Sequence, residues 1–79
     1  MKIPRDLNGR DLIKALCRNW GYHMVHRVGS HVILETEDPS HHRLAVPDHR
    51  WLRVGTLNGI LRAVAEHKKT TREEIINTL

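Results

Sequence analysis

Three short runs in this 79-residue chain carry side chains suited to proton transfer and anion binding: Gly29-Ser30-His31, Pro47-Asp48-His49 and Gly55-Thr56-Leu57. Imidazole is the side chain whose ordinary pKa lies nearest neutrality, so His31 and His49 can each give or take a proton at cellular pH. Arg43, Arg50 and Arg53 flank the second histidine in sequence, and a guanidinium is a planar fork matched to phosphate oxygens. Histidines in such a basic setting point to a phosphodiester substrate. RNA brings its own nucleophile in the ribose 2′-hydroxyl, so its cleavage needs a base, an acid and stabilisation of charge at phosphorus.

His31 is the leading candidate. It follows a Gly29-Ser30 turn whose backbone carries little bulk, so a phosphate can approach closely. There it can accept the 2′-hydroxyl proton or protonate the departing 5′-oxygen. A histidine at a strand start more often packs or hydrogen-bonds across its hairpin, and that reading prevails without further context. His49 can supply the complementary acid or base, or bind phosphate; a solvated loop histidine is an equal alternative. Gly55-Thr56 at a helix start offers free amides and a hydroxyl to an anion, although a plain helix cap is the more frequent meaning of such a pair.

Metal ligation is a poor reading. His41 and His42 are adjacent on a strand and point to opposite faces, and His23 and His26, three apart on a strand, are expected to diverge as well. No cysteine pair and no paired-histidine helix motif accompanies them. All four histidines are expected at solvated positions, and no cofactor is expected. Of the two tryptophans, Trp20 falls on an apolar helical stripe and reads as core. Trp51, between Arg50 and Arg53, is the better base-stacking candidate, or else covers the base of the following helix.

The elements that position these groups follow from periodicity. Residues 1–8 read as a lead-in in which Pro4 resists helix. Leu12, Ile13, Leu16, Cys17 and Trp20 recur at helical spacing, which predicts a helix from about Asn8 to Asn19, closed by Gly21 as a left-handed cap. Arg10, Lys14 and Arg18 share another of its faces. Strands are expected over Tyr22–Val28, His31–Glu37 and His42–Val46, with Gly29-Ser30 as a tight hairpin, Asp38-Pro39-Ser40 as a second turn and Pro47 as a stop. Parity puts Val32, Leu34, Leu44 and Val46 on the core face, and His31, Ile33, Glu35, Arg43 and Ala45 on the other. A second helix is expected from about Thr56 to His67, and a short one capped by Thr70 or Thr71 follows, with Glu73 and Glu74 in its first turn. The order is α-β-β-β-α plus one α, an α+β chain whose three-stranded antiparallel sheet carries helices on one face and leaves the other wet.

Composition bounds the rest. The length suits one domain over residues 1–79 and is too short for two. Hydrophobic residues make up 39% and Phe is absent, so Leu, Ile, Val and the tryptophans must build a small core. The net charge is +4, and nine of the thirteen cations are Arg, a balance that favours a polyanionic partner. The seven histidines add a component that strengthens phosphate binding as pH falls. Cys17 cannot form an internal disulfide and reads as a buried thiol. Met1-Lys2 leads into polar sequence with no signal peptide or membrane-spanning run, so a reducing cytoplasm and no membrane partner are expected.

Taken together and in this order, Gly9-Arg10-Asp11-Leu12, Gly21-Tyr22, Gly29-Ser30-His31, Pro47-Asp48-His49 and Gly55-Thr56-Leu57 with Ile60-Leu61 resemble the HicA family of toxin mRNA interferases, including its YcfA-like members. Each tripeptide alone is weak; their order along nearly the whole chain is specific. The resemblance implies a double-stranded-RNA-binding-domain-like fold and metal-independent endoribonuclease activity on mRNA. It also implies an essential histidine at the position of His31, and a HicB-type antitoxin that occludes the active surface. A terminal helix around Thr71–Leu79, and Arg50 and Arg53 where Lys is frequent, depart from the shortest family members. On this reading Gly29, Ser30, Arg43, His49, Arg50, Arg53 and Thr56 contact RNA around a catalytic His31. A non-catalytic RNA-binding module of the same fold is the main alternative, and a pure interaction domain is a third.

Overall fold

Asn8 opens the first helix, because its side-chain carbonyl accepts from the Asp11 amide at 2.7 Å and satisfies one of the donors a helix start leaves free. The computed structural model describes residues 7–79, so most of the expected lead-in lies outside the described residues. Helix α1 spans Gly9–Asn19 and buries Leu12 and Leu16 completely. Gly21, with φ of +73°, turns the chain out of it.

Strands β1 (His23–Val28), β2 (His31–Thr36) and β3 (His42–Pro47) follow, then α2 (Val54–Lys68) and α3 (Arg72–Ile76). The sheet is antiparallel in the order β1-β2-β3. This is the expected α+β order with its extra C-terminal helix. Parity also holds in β2 and β3: Val32, Leu34 and Val46 are buried, with Leu44 packed against them. Leu12 and Leu16 of α1, Leu57, Leu61 and Val64 of α2 and Ile75 of α3 close over that face. Each such side chain, fully buried, contributes roughly 1.5–3 kcal/mol. Thr71 caps α3 by accepting from the Glu74 amide at 3.1 Å, and Trp20 Nε1 donates to Thr78 Oγ1 at 2.9 Å. Trp20 therefore serves packing, as its stripe position predicts, and fastens the C-terminal segment to α1.

Two features of the sheet depart from expectation. Strand β1, an edge strand of the sheet, is exposed along its whole length. Its register also shifts between Met24 and His26, a bulge at Val25 that breaks the two-residue alternation. His23 pairs with Glu35 and His26 with Ile33, so both histidines share the outer sheet face instead of diverging. The second departure is His42. Its ring stacks on His67 with centroids 4.4 Å apart, and Nδ1 lies 2.8 Å from the Tyr22 hydroxyl, so it is a packed group and not a solvated one.

Candidate functional site

The hairpin turn sets the site's geometry. Gly29 has φ of +61° while Ser30 stays in the ordinary region, the pattern of a type II′ turn whose twist suits a two-residue hairpin. His31 emerges from it as the first residue of β2, opposite Val28 on one side and Pro47 on the other, with its side chain exposed.

The segment after β3 then folds back over this turn. The Asp48 amide donates to the Ser30 carbonyl at 2.7 Å, and the Gly9 amide donates to the His49 carbonyl at 2.8 Å. Helix α1 can come this close only because residue 9 has no side chain: a Cβ there would sit 1.8 Å from the Pro47 carbonyl oxygen. Asp48 is held by Arg27 at 2.8 Å and, more loosely, by Arg10 at 3.9 Å. Hydrogen bonding from Arg27, with the charges of Arg10, Arg27 and His49, keeps its carboxyl below the usual carboxylate range despite the opposing pull of desolvation.

These constraints bring His49 to His31. The two ring centroids are 6.5 Å apart, and His49 Nε2 lies 3.0 Å from Ser30 Oγ. Both imidazoles line an open groove of about 420 Å³ together with Pro47, Trp51, Leu52, Arg53 and Thr56. Trp51 is 63% exposed and so retains a free face for stacking. The Arg50 guanidinium stands 5.7 Å from its ring centroid and lines an adjoining hollow of about 250 Å³ with Asn8, Arg10, Asp48 and His49.

The groove ends at the start of α2. This helix begins at Val54, earlier than expected, and its N-cap is Arg53, which makes no side-chain cap bond. The first helical hydrogen bond runs from the Leu57 amide to the Arg53 carbonyl at 2.9 Å. The amides of Val54, Gly55 and Thr56 thus fall outside the helix's own ladder, with no acidic side chain in the first turn. Thr56 is inside the helix and is not its cap.

Of the residues singled out in the sequence, the fold gathers Gly29, Ser30, His31, His49, Arg53 and Thr56, with Arg50 alongside. Arg43 stays apart. It pairs in register with Glu35, toward the opposite end of β3 from Pro47, and its Nε lies 3.8 Å from the Glu35 carboxylate. Arg10, Arg27 and Asp48 are the members that sequence reasoning missed as site residues. Asp48 and Arg10 lie within runs already noted in the sequence, Pro47-Asp48-His49 and Gly9-Arg10-Asp11-Leu12, whereas nothing there signals Arg27.

The family described as HicA toxin of bacterial toxin-antitoxin matches residues 9–65, well over half of the chain. The chain belongs to the HicA toxin family. The HicA match takes in α1, the three strands, the folded-back segment and nearly all of α2; α3 lies beyond it. Neither the curated proteins nor the solved structures give a significant match. As a HicA toxin of a toxin–antitoxin system, the chain has an antitoxin as its implied partner. No described helix is long and apolar enough to cross a membrane.

Proposed function

We propose that this HicA-family chain is a metal-independent endoribonuclease toxin that cleaves mRNA in the cytoplasm, with His31 as a general acid or base and a HicB-type antitoxin as its inhibitor. The observation that carries the proposal is an exposed His31 imidazole in one groove with Arg53 and the uncapped start of α2. A phosphodiester lying there meets a titratable group and positive charge together. The 2′-hydroxyl supplies the nucleophile, so neither activated water nor a metal-bound hydroxide is needed. Gly29 gives the strand access to the turn, while Arg50, Arg53 and the amides around Thr56 receive phosphate oxygens.

Purified protein incubated with labelled mRNA in the presence of chelator tests this. The wild type is expected to cleave, and His31→Ala to lose on the order of 10²- to 10⁴-fold in rate with its fold intact by circular dichroism. A folded His31→Ala variant that cleaves at the wild-type rate removes the catalytic assignment. The exposed Trp51 face also suits the alternative, an RNA-binding module without chemistry. That alternative predicts salt-dependent RNA affinity and no strand scission.

A further inference from the structure

We propose that His49 is the second proton-transfer group of the site, working with His31 on the two sides of one phosphodiester. The inference rests on the ribonuclease reading above and adds a catalytic residue to it. Three separate contacts place His49: the Gly9 amide on its carbonyl, the Asp48 amide on the Ser30 carbonyl, and Ser30 Oγ at 3.0 Å from its Nε2. The last contact fixes the ring's orientation. It leaves Nδ1, which makes no hydrogen bond among the described residues, to exchange a proton with substrate.

A span of 6.5 Å between ring centroids lets both rings come within hydrogen-bond reach, about 2.6–3.2 Å, of oxygens on opposite sides of a phosphorus seated between them. The groups facing His49 are Asp48, Arg10, Arg50 and Arg53, with His31 across the groove. The only carboxylate among these is already engaged by Arg27 and Arg10.

The chemistry balances on these two side chains. One imidazole, neutral at the outset, takes the proton of the 2′-hydroxyl as the 2′-oxygen bonds to phosphorus. The other, protonated at the outset, delivers its proton to the 5′-oxygen as the P–O5′ bond breaks. The products are a 2′,3′-cyclic phosphate and a 5′-hydroxyl end. No co-reactant is consumed, and solvent returns both rings to their starting states.

The test measures single-turnover cleavage of an oligoribonucleotide against pH for wild type, His31→Ala and His49→Ala. Each is repeated on an oligonucleotide with sulfur at the bridging 5′ position, a leaving group that needs no proton. The wild type is expected to give a bell. His49→Ala should lose on the order of 10²- to 10⁴-fold and one limb of the bell while RNA affinity stays within a few-fold. The sulfur substrate should rescue whichever single variant has lost the acid, and not the other. His49→Gln, which preserves size and hydrogen-bonding capacity, guards against misfolding and should show the same loss. If folded His49→Gln or His49→Ala keeps both limbs at near wild-type rate, or loses only affinity, His49 is not a proton-transfer group and His31 stands alone. Absence of cleavage by the wild type on either substrate would overturn the ribonuclease reading itself, and this inference with it.

Discussion

Arg53 and Arg43 carry the same charge in different settings. Arg53 lines the groove with both histidines, whereas Arg43 already faces the Glu35 carboxylate at 3.8 Å and lies outside it. A cation that neutralises a phosphate of single-stranded RNA releases counterions worth about 0.7 in the slope of log affinity against log salt. Arg53→Ala should therefore flatten that slope by about 0.7, and Arg43→Ala should leave it unchanged. Fluorescence anisotropy across a salt series on a catalytically dead background reads both, and equal effects would place the RNA path across the outer sheet face instead. Ser30 gives a second prediction. Its hydroxyl holds the His49 ring, and one such hydrogen bond is worth about 0.5–1.5 kcal/mol. Ser30→Ala should thus lower kcat by roughly two- to tenfold, with KM and unfolding midpoint little changed; a shift confined to KM would make Ser30 a binding group. The exposed position of His31 beside the hairpin turn is legible in the sequence, because turn and imidazole are adjacent. The Ser30–His49 link was not, because its partners lie 19 residues apart and meet only when the segment after β3 folds back.

The elements themselves were largely legible, since Gly21, Gly29 and Pro47 punctuate runs with clear helical or alternating period. Sequence failed where geometry departs from period: the bulge at Val25, which cannot be read from alternation, and the start of α2, where no cap side chain marks the boundary. The second of these bears on the proposed function. An N-cap Ser, Asp or Asn is worth about 0.5–2 kcal/mol to a helix, and Arg53 forgoes it. Arg53→Asp should raise the unfolding free energy by about 1 kcal/mol and at the same time abolish RNA affinity, because it places a carboxylate where the phosphate would sit. Urea unfolding and anisotropy on one variant check both halves; unchanged RNA affinity would remove the start of α2 from the interface. Gly9 works in the opposite sense. A Cβ at 1.8 Å from the Pro47 carbonyl oxygen meets backbone that cannot yield without moving α1 or the segment carrying His49. Gly9→Ala should cost about 1–3 kcal/mol and reduce cleavage in the folded fraction. A fully stable Gly9→Ala would show that α1 is not held by this close approach.

Across the whole molecule, the sheet separates two groups of titratable side chains. The groove lies at the hairpin end, and at the far end Tyr22, His42, His67 and Lys68 join the beginning of β1, the start of β3 and the last turn of α2. Lys68 Nζ reaches Thr36 Oγ1 at 2.9 Å and stands 5.0 Å from the Tyr22 ring centroid. Desolvation, then the charges of His67, Lys68 and His41, push the His42 pKa below its ordinary 6.5. Between 6.5 and that lower folded value the unfolded chain binds more protons than the folded one, so stability falls as pH falls. The contribution is fully present above 6.5 and gone once pH passes below the folded pKa. His41 acts in the other direction, since its bond to Glu37 raises its pKa. That pair is solvent-exposed, and such pairs contribute little. Asp48, depressed from 3.8, acts in a separate and more acidic window. Urea midpoints should therefore drop as pH is lowered from 7.5 toward 5, and His42→Gln should flatten that fall while preserving the Tyr22 contact. A His42→Gln variant with an undiminished acid-induced loss would place the stability switch elsewhere in the fold.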